Sequence, residues 1–231
     1  MKYFLLILSF SLTLLAGDID PKIFKKIKML SPQHIQVTKA YDHGNIYEVS
    51  LQIATPRGMQ QTTAFITKDK KVVLLGEALD AQTGEAIKRP LDMQSIRKNA
   101  DVVYGEGSKE YIVFTDPECH YCVKFEKTWP SLKAKVKLYV YFMPLSNHHN
   151  ATKMSYHVMK QTTPTAKVKA LLAMANGDTS YERLTMSQQI SNLFGQKIRD
   201  NQLLANEFGV RGTPAVFDTK GATVNWTSLG Q

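Results

Sequence analysis

Phe114-Thr-Asp-Pro-Glu-Cys119-His-Tyr-Cys122-Val-Lys-Phe-Glu126 is the stretch on which the reading of this chain turns. Before it, Tyr111-Ile-Val-Phe-Thr115 is a short, continuous apolar run with the β-branched and aromatic content of a buried strand. After it, Val123, Phe125 and Trp129 recur at helical spacing to about Lys133. Two cysteines therefore open a helix that directly follows a strand. The first N–H groups of a helix lack intrahelical partners and its dipole favours an anion there, so a sulfur at Cys119 is favoured as thiolate. Such positions bring a thiol's pKa from about 8.5 into roughly the 3.5–7.5 range. Cys119 is expected to attack and Cys122, one turn further in, to resolve. His120 and Tyr121 between them are expected to tune the pair.

Cys119 and Cys122 are the only two cysteines in 231 residues. A cross-link closing so short a loop removes little unfolded-chain entropy, which argues for chemistry over stapling. Half of a zinc site would need histidines at His-x(3–5)-His spacing. His148 and His149 are adjacent and His157 lies eight further on, so no metal is expected. Cys-x-x-Cys-His haem attachment fails because Val123 follows. No cofactor is expected.

Far downstream, Gly209-Val-Arg-Gly-Thr213-Pro214-Ala-Val-Phe217 puts a proline at the start of an apolar strand, where its missing N–H is tolerated. An X-Pro bond here can be cis, with Thr213 offering backbone to a substrate strand. Thr213 and Pro214 are therefore candidate substrate-binding residues.

The ends and the charge set the remaining bounds. Lys2 followed by an apolar run of about 13 residues, then Ala16-Gly17, reads as a signal peptide over 1–17, since a membrane span needs about 20. An exported, periplasmic protein is expected. Lys+Arg outnumber Asp+Glu by 29 to 20, but the lysines are dispersed along the chain, so nucleic acid is not expected as a partner. Residues 18–88 read as a small first domain: an amphipathic helix over 21–30, a strand over 47–53, and a hairpin of 63–67 with 72–75. Residues 89–109 read as a linker, partly helical over 91–100. From 110 to 231 strands and helices alternate, with a helical stretch at about 151–208 and a closing hairpin of 213–218 with 222–226.

These motifs, with the weaker hairpin Ala64-Phe-Ile-Thr-Lys-Asp-Lys-Lys-Val-Val-Leu-Leu-Gly-Glu-Ala-Leu-Asp80, make the chain resemble the thioredoxin superfamily and, within it, the bacterial periplasmic DsbC/DsbG disulfide isomerases. The resemblance implies an α+β chain: an N-terminal cystatin-like dimerisation domain, a linker helix, and a C-terminal thioredoxin-like domain with a helical insertion. It also implies a homodimer that rearranges wrong disulfides in misfolded exported proteins and is kept reduced by a DsbD-type membrane reductase. The rivals are a DsbA-like thiol oxidase, which the extra N-terminal domain disfavours, and a dimeric holdase chaperone with an incidental disulfide. Two departures stand out. The second disulfide of DsbC has no cysteines here, and only 225–231 follow the closing hairpin, so a shortened or missing final helix is expected.

Overall fold

The computed structural model describes residues 17–56 and 58–229. The leader expected over 1–17 therefore lies, apart from Gly17, outside the described residues. The chain divides into two compact units, the first ending at Arg89 and the second starting at Pro90.

The first unit is an antiparallel sheet of five strands in chain order: β1 Gly17–Asp18, β2 Ile35–Asp42, β3 Ile46–Thr55, β4 Gly58–Thr67 and β5 Val73–Leu75. Val49 and Leu51 of β3 alternate with Ala64 and Ile66 of β4 on one face, which Phe24 and Leu30 cover. The helix expected over 21–30 is instead two 3-10 turns, Pro21–Phe24 and Lys28–Leu30, separated by extended backbone at Ile27. One continuous helix would set residues six apart roughly 240° around its axis. Breaking it lets Phe24 and Leu30 reach the same core. β2 escaped the alternation test because a bulge between Val37 and Lys39 shifts its register, so the inward residues run Val37, then Ala40.

The second unit is a four-stranded sheet in the order β6-β8-β7-β9. Its strands are β6 Val102–Tyr104, β7 Lys109–Thr115, β8 Val136–Phe142 and β9 Ala215–Asp218. β7 and β8 are parallel, and the helix between them, α2 His120–Leu132, is the crossover such a pair requires. α1 spans Met93–Asn99; α3 Ala151–Met159, α4 Pro164–Ala175 and α5 Gln188–Glu207 form the helical stretch between β8 and β9. The sheet is covered on both sides. Val113, Val140, Phe142, Phe125 and Trp129 meet Met154, Val158 and Leu171 in one core, while Ile112, Phe114 and Tyr141 meet Ile96, Ala205 and Phe217 in the other. This double burial explains why β7 reads as unbroken apolar sequence.

Residues 89–109 do not behave as a linker beyond Arg89. Ile96 of α1 is buried, its carbonyl accepts from the Tyr141 hydroxyl at 2.5 Å, and β6 pairs with β8. Three residues of strand were too few to register as a pattern. Gly105 and Gly107 sit against the start of β8. A Cβ on Gly107 would lie 2.0 Å from the Lys135 carbonyl carbon. Backbone cannot swing aside as a side chain can, so Gly107→Ala is expected to cost about 2–4 kcal/mol in urea unfolding.

The closing hairpin is only partly formed. β9 pairs with β7, but the arm expected over 222–226 contributes one bridge, Phe217 to Thr223, before a 3-10 turn at Trp226–Ser228. Asn225 caps that turn by accepting from the Thr227 N–H, and Trp226 swings onto Phe125 with ring centroids 5.5 Å apart. Burying the indole there ends the strand.

Candidate active site

α2 begins at His120 with Cys119 as its N-cap, and no side-chain acceptor caps it. Its first-turn N–H groups are thus available to an anion at that end. The turn Asp116-Pro-Glu-Cys119 is closed by the Cys119 N–H donating to the Asp116 carbonyl at 3.0 Å. Both cysteines are unbridged thiols. Cys119 retains a sliver of exposure at 7%, whereas Cys122 has none. Burial pushes the Cys122 thiol well above the usual range, although the Asp116 N–H donates to its sulfur at 3.4 Å and opposes that rise.

β9 brings the downstream motif to the cysteines across 94 residues of sequence: Cys119 Sγ donates to the Thr213 carbonyl at 3.4 Å, and the Thr213–Pro214 bond is cis. The Thr213 hydroxyl is buried with no hydrogen-bond partner among the described residues. Cys119, Cys122, Thr213 and Pro214 are therefore one place in the fold. His120 and Tyr121 are exposed on the first turn of α2; Tyr121, 60% exposed, carries the Lys124 ammonium 5.7 Å from its ring centroid.

Sequence reading missed the acids around the pair. Glu126, one turn beyond Cys122 on the same helix, is 1% exposed, and its carboxyl accepts from the Thr115 hydroxyl at 2.8 Å while its other oxygen has no partner among the described residues. Burial, with the charges of Asp116 and Cys119 adding to it, pushes this carboxyl up to about 8. The i, i+4 step from Cys122, landing between the core residues Phe125 and Trp129, was the available clue. Asp116 is fully buried. It accepts from the Glu118 N–H at 2.8 Å and the Leu145 N–H at 2.7 Å, and meets His148 Nδ1 at 2.8 Å. Glu118 in turn accepts from the N–H groups of Asn150 and Ala151 at 2.7 and 2.8 Å, capping α3 from a distance. The turn before Cys119 is thereby fastened to the segment that leads into α3.

A family model described as a thioredoxin-like domain matches residues 96–228. The chain belongs to this thioredoxin-like family. Beyond it, the chain is 24% identical over 207 residues to a probable thiol:disulfide interchange protein DsbC of Bordetella parapertussis, and equally to that of Bordetella bronchiseptica. Those matches take in 78% of this chain, which spans 64% of the length of the curated relatives it matches. Among solved structures, DsbG of Helicobacter pylori overlaps 86% of this chain and 98% of its own at 12% identity and a TM-score of 0.39. ScsC of Proteus mirabilis in a compact conformation overlaps 60% and 74% at 19% identity and a TM-score of 0.48. Superpositions this loose carry no argument about function. The thioredoxin-like domain itself supplies the frame for the site: a parallel β7-α2-β8 unit with two cysteines at the start of its helix and a cis-proline strand beside them. Among the described residues no helix is long and apolar enough to cross a membrane.

Proposed function

We propose that this protein is a periplasmic thiol:disulfide isomerase and reductase working through Cys119 and Cys122. The observation that carries the reading is the asymmetry of the pair. One sulfur sits at an uncapped helix start with residual exposure, and the other is sealed and held as a thiol by burial. The Cys119 thiolate attacks a substrate disulfide, so that a bond from Cys119 to one substrate sulfur forms as the substrate S–S bond breaks and the other sulfur leaves as thiolate. Attack by a second substrate thiol then releases a rearranged substrate. Alternatively Cys122 loses its proton, attacks Cys119 and releases a reduced substrate while the pair becomes oxidised. Glu126, titrating near 8, is matched to exchange that proton around neutral pH. Thr213 presents backbone beside Cys119, and exposed Tyr121 offers apolar contact to an unfolded chain. His120 adds a positive charge to the thiolate when protonated.

In the same reading the first unit is the cystatin-like dimerisation domain, substrates are misfolded exported proteins, and a DsbD-type membrane reductase restores the dithiol. β5 supports the dimer: it is an edge strand whose Leu74 and Leu75 are 49% and 63% exposed, the kind of edge that pairs with another chain. Leu75→Glu is expected to convert a dimer to monomers in light scattering while leaving the melting of the thioredoxin-like domain in place. A wild-type protein that already scatters as a monomer defeats that assignment. The whole reading is tested by refolding scrambled ribonuclease with pre-reduced protein. Recovery of ribonuclease activity supports it, whereas net oxidation of reduced ribonuclease by a monomer would favour the oxidase instead.

A further inference from the structure

The geometry points to His148 as a positioning residue of the redox centre: by gripping Asp116 it steadies the turn that carries Cys119, and its charge offsets the Asp116 carboxylate so that the Cys119 thiolate forms beside a neutral pair. This inference rests on the thiol-disulfide reading above.

Asp116 is a fully buried acid whose own N–H reaches the Cys122 sulfur at 3.4 Å, so any movement of its turn is felt at the pair. Its two carboxylate oxygens are already supplied with backbone N–H groups, from Glu118 and from Leu145. The imidazole is thus not needed as one more hydrogen bond. What it adds is charge. Its side chain is 22% exposed against 0% for Asp116, so the imidazole can exchange a proton with solvent where the carboxylate cannot. Two further acids crowd the same place: Glu126 from α2, on which both Asp116 and Cys119 act electrostatically, and Cys119 itself. A negative Asp116 without a counter-ion would oppose the appearance of a second negative charge on Cys119. Glu118, from the same turn, is occupied by the N–H groups at the start of α3 and, like Asp116, ties this segment down. Neighbouring His149 is exposed and serves as a control.

The test uses the full chain, reduced, as wild type, His148→Gln, His148→Ala and His149→Gln. Iodoacetamide alkylation of Cys119 is followed by mass spectrometry from about pH 5.5 to 8.5, the span over which imidazoles change charge. Glutamine keeps an N–H donor but never the charge. His148→Gln is expected to alkylate about threefold more slowly near pH 6 and to rejoin the wild-type curve near pH 8.5, with an unchanged melting temperature. His149→Gln should follow wild type throughout. If His148→Ala loses folding stability, the glutamine variant alone decides. A His148→Gln curve that superimposes on wild type, or lies below it by the same factor at every pH, overturns the inference. Wild-type Cys119 no more reactive than free glutathione would bring down the parent reading and this one together. Normal wild-type reactivity with an unaltered glutamine variant brings down this one alone.

Discussion

Replacing Cys119 by serine is expected to abolish recovery of scrambled ribonuclease while leaving the thermal melt near that of wild type. Serine is close in size and Cys119 is at the edge of the core, so packing loses little. The hydroxyl cannot ionise at neutral pH and the attacking sulfur is gone, so activity should fall at least about a thousandfold, to background. Cys122→Ser should behave differently. Attack by Cys119 survives, but its route of escape does not, so mixed disulfides with substrate should accumulate as reducible high-mass bands on a non-reducing gel. If Cys119→Ser retains measurable exchange, the assignment of the nucleophile is wrong. If Cys122→Ser accumulates nothing, the two sulfurs do not divide the work as their burial implies.

The second large effect belongs to Glu126. A carboxyl that titrates near 8 when folded and near the ordinary glutamate value of 4.5 when unfolded binds its proton more tightly in the native state. Its penalty is therefore absent below about pH 4.5 and grows as pH rises towards 8, reaching about 3 kcal/mol at pH 7. Glu126→Gln keeps the shape and can still accept from the Thr115 hydroxyl, but it has no charge to bury. The variant should be more stable than wild type by about that amount at pH 7, with the difference shrinking towards zero near pH 4.5 in parallel urea titrations. It should also be slower at releasing trapped substrate, because Cys122 loses its proton partner. Equal stabilisation at pH 4.5 and pH 7 would mean that the gain comes from packing, not from a buried charge.

Much of the catalytic unit could be read in advance because its elements are long or chemically specific. β7 is an unbroken apolar run, α2 shows helical spacing, and a Cys-x-x-Cys at a strand-to-helix junction has few other uses. What escaped reading was whatever depended on neighbours. β6 is three residues long and has meaning only beside β8. The bulge in β2 breaks an alternation that the eye follows only while it is regular. Trp226 leaves the closing hairpin for a ring contact with Phe125, which no local pattern encodes. The acids around the cysteines follow the same rule. Asp116 looks like an ordinary turn residue, and Glu126 like the polar side of a helix, until burial removes their water, while Glu118 takes its role only from the start of α3 some 32 positions on. His148 was weighed only as a zinc ligand, since its partnership with Asp116 spans 32 positions of sequence.

The seating of Thr213 against Cys119 also fixes the order in which the protein matures. The cysteines leave the ribosome well before the strand that flanks them, so the emerging chain carries two thiols with no wall on that side. A polypeptide stalled or clipped ahead of residue 213 would present them bare, ready to cross-link with neighbouring chains.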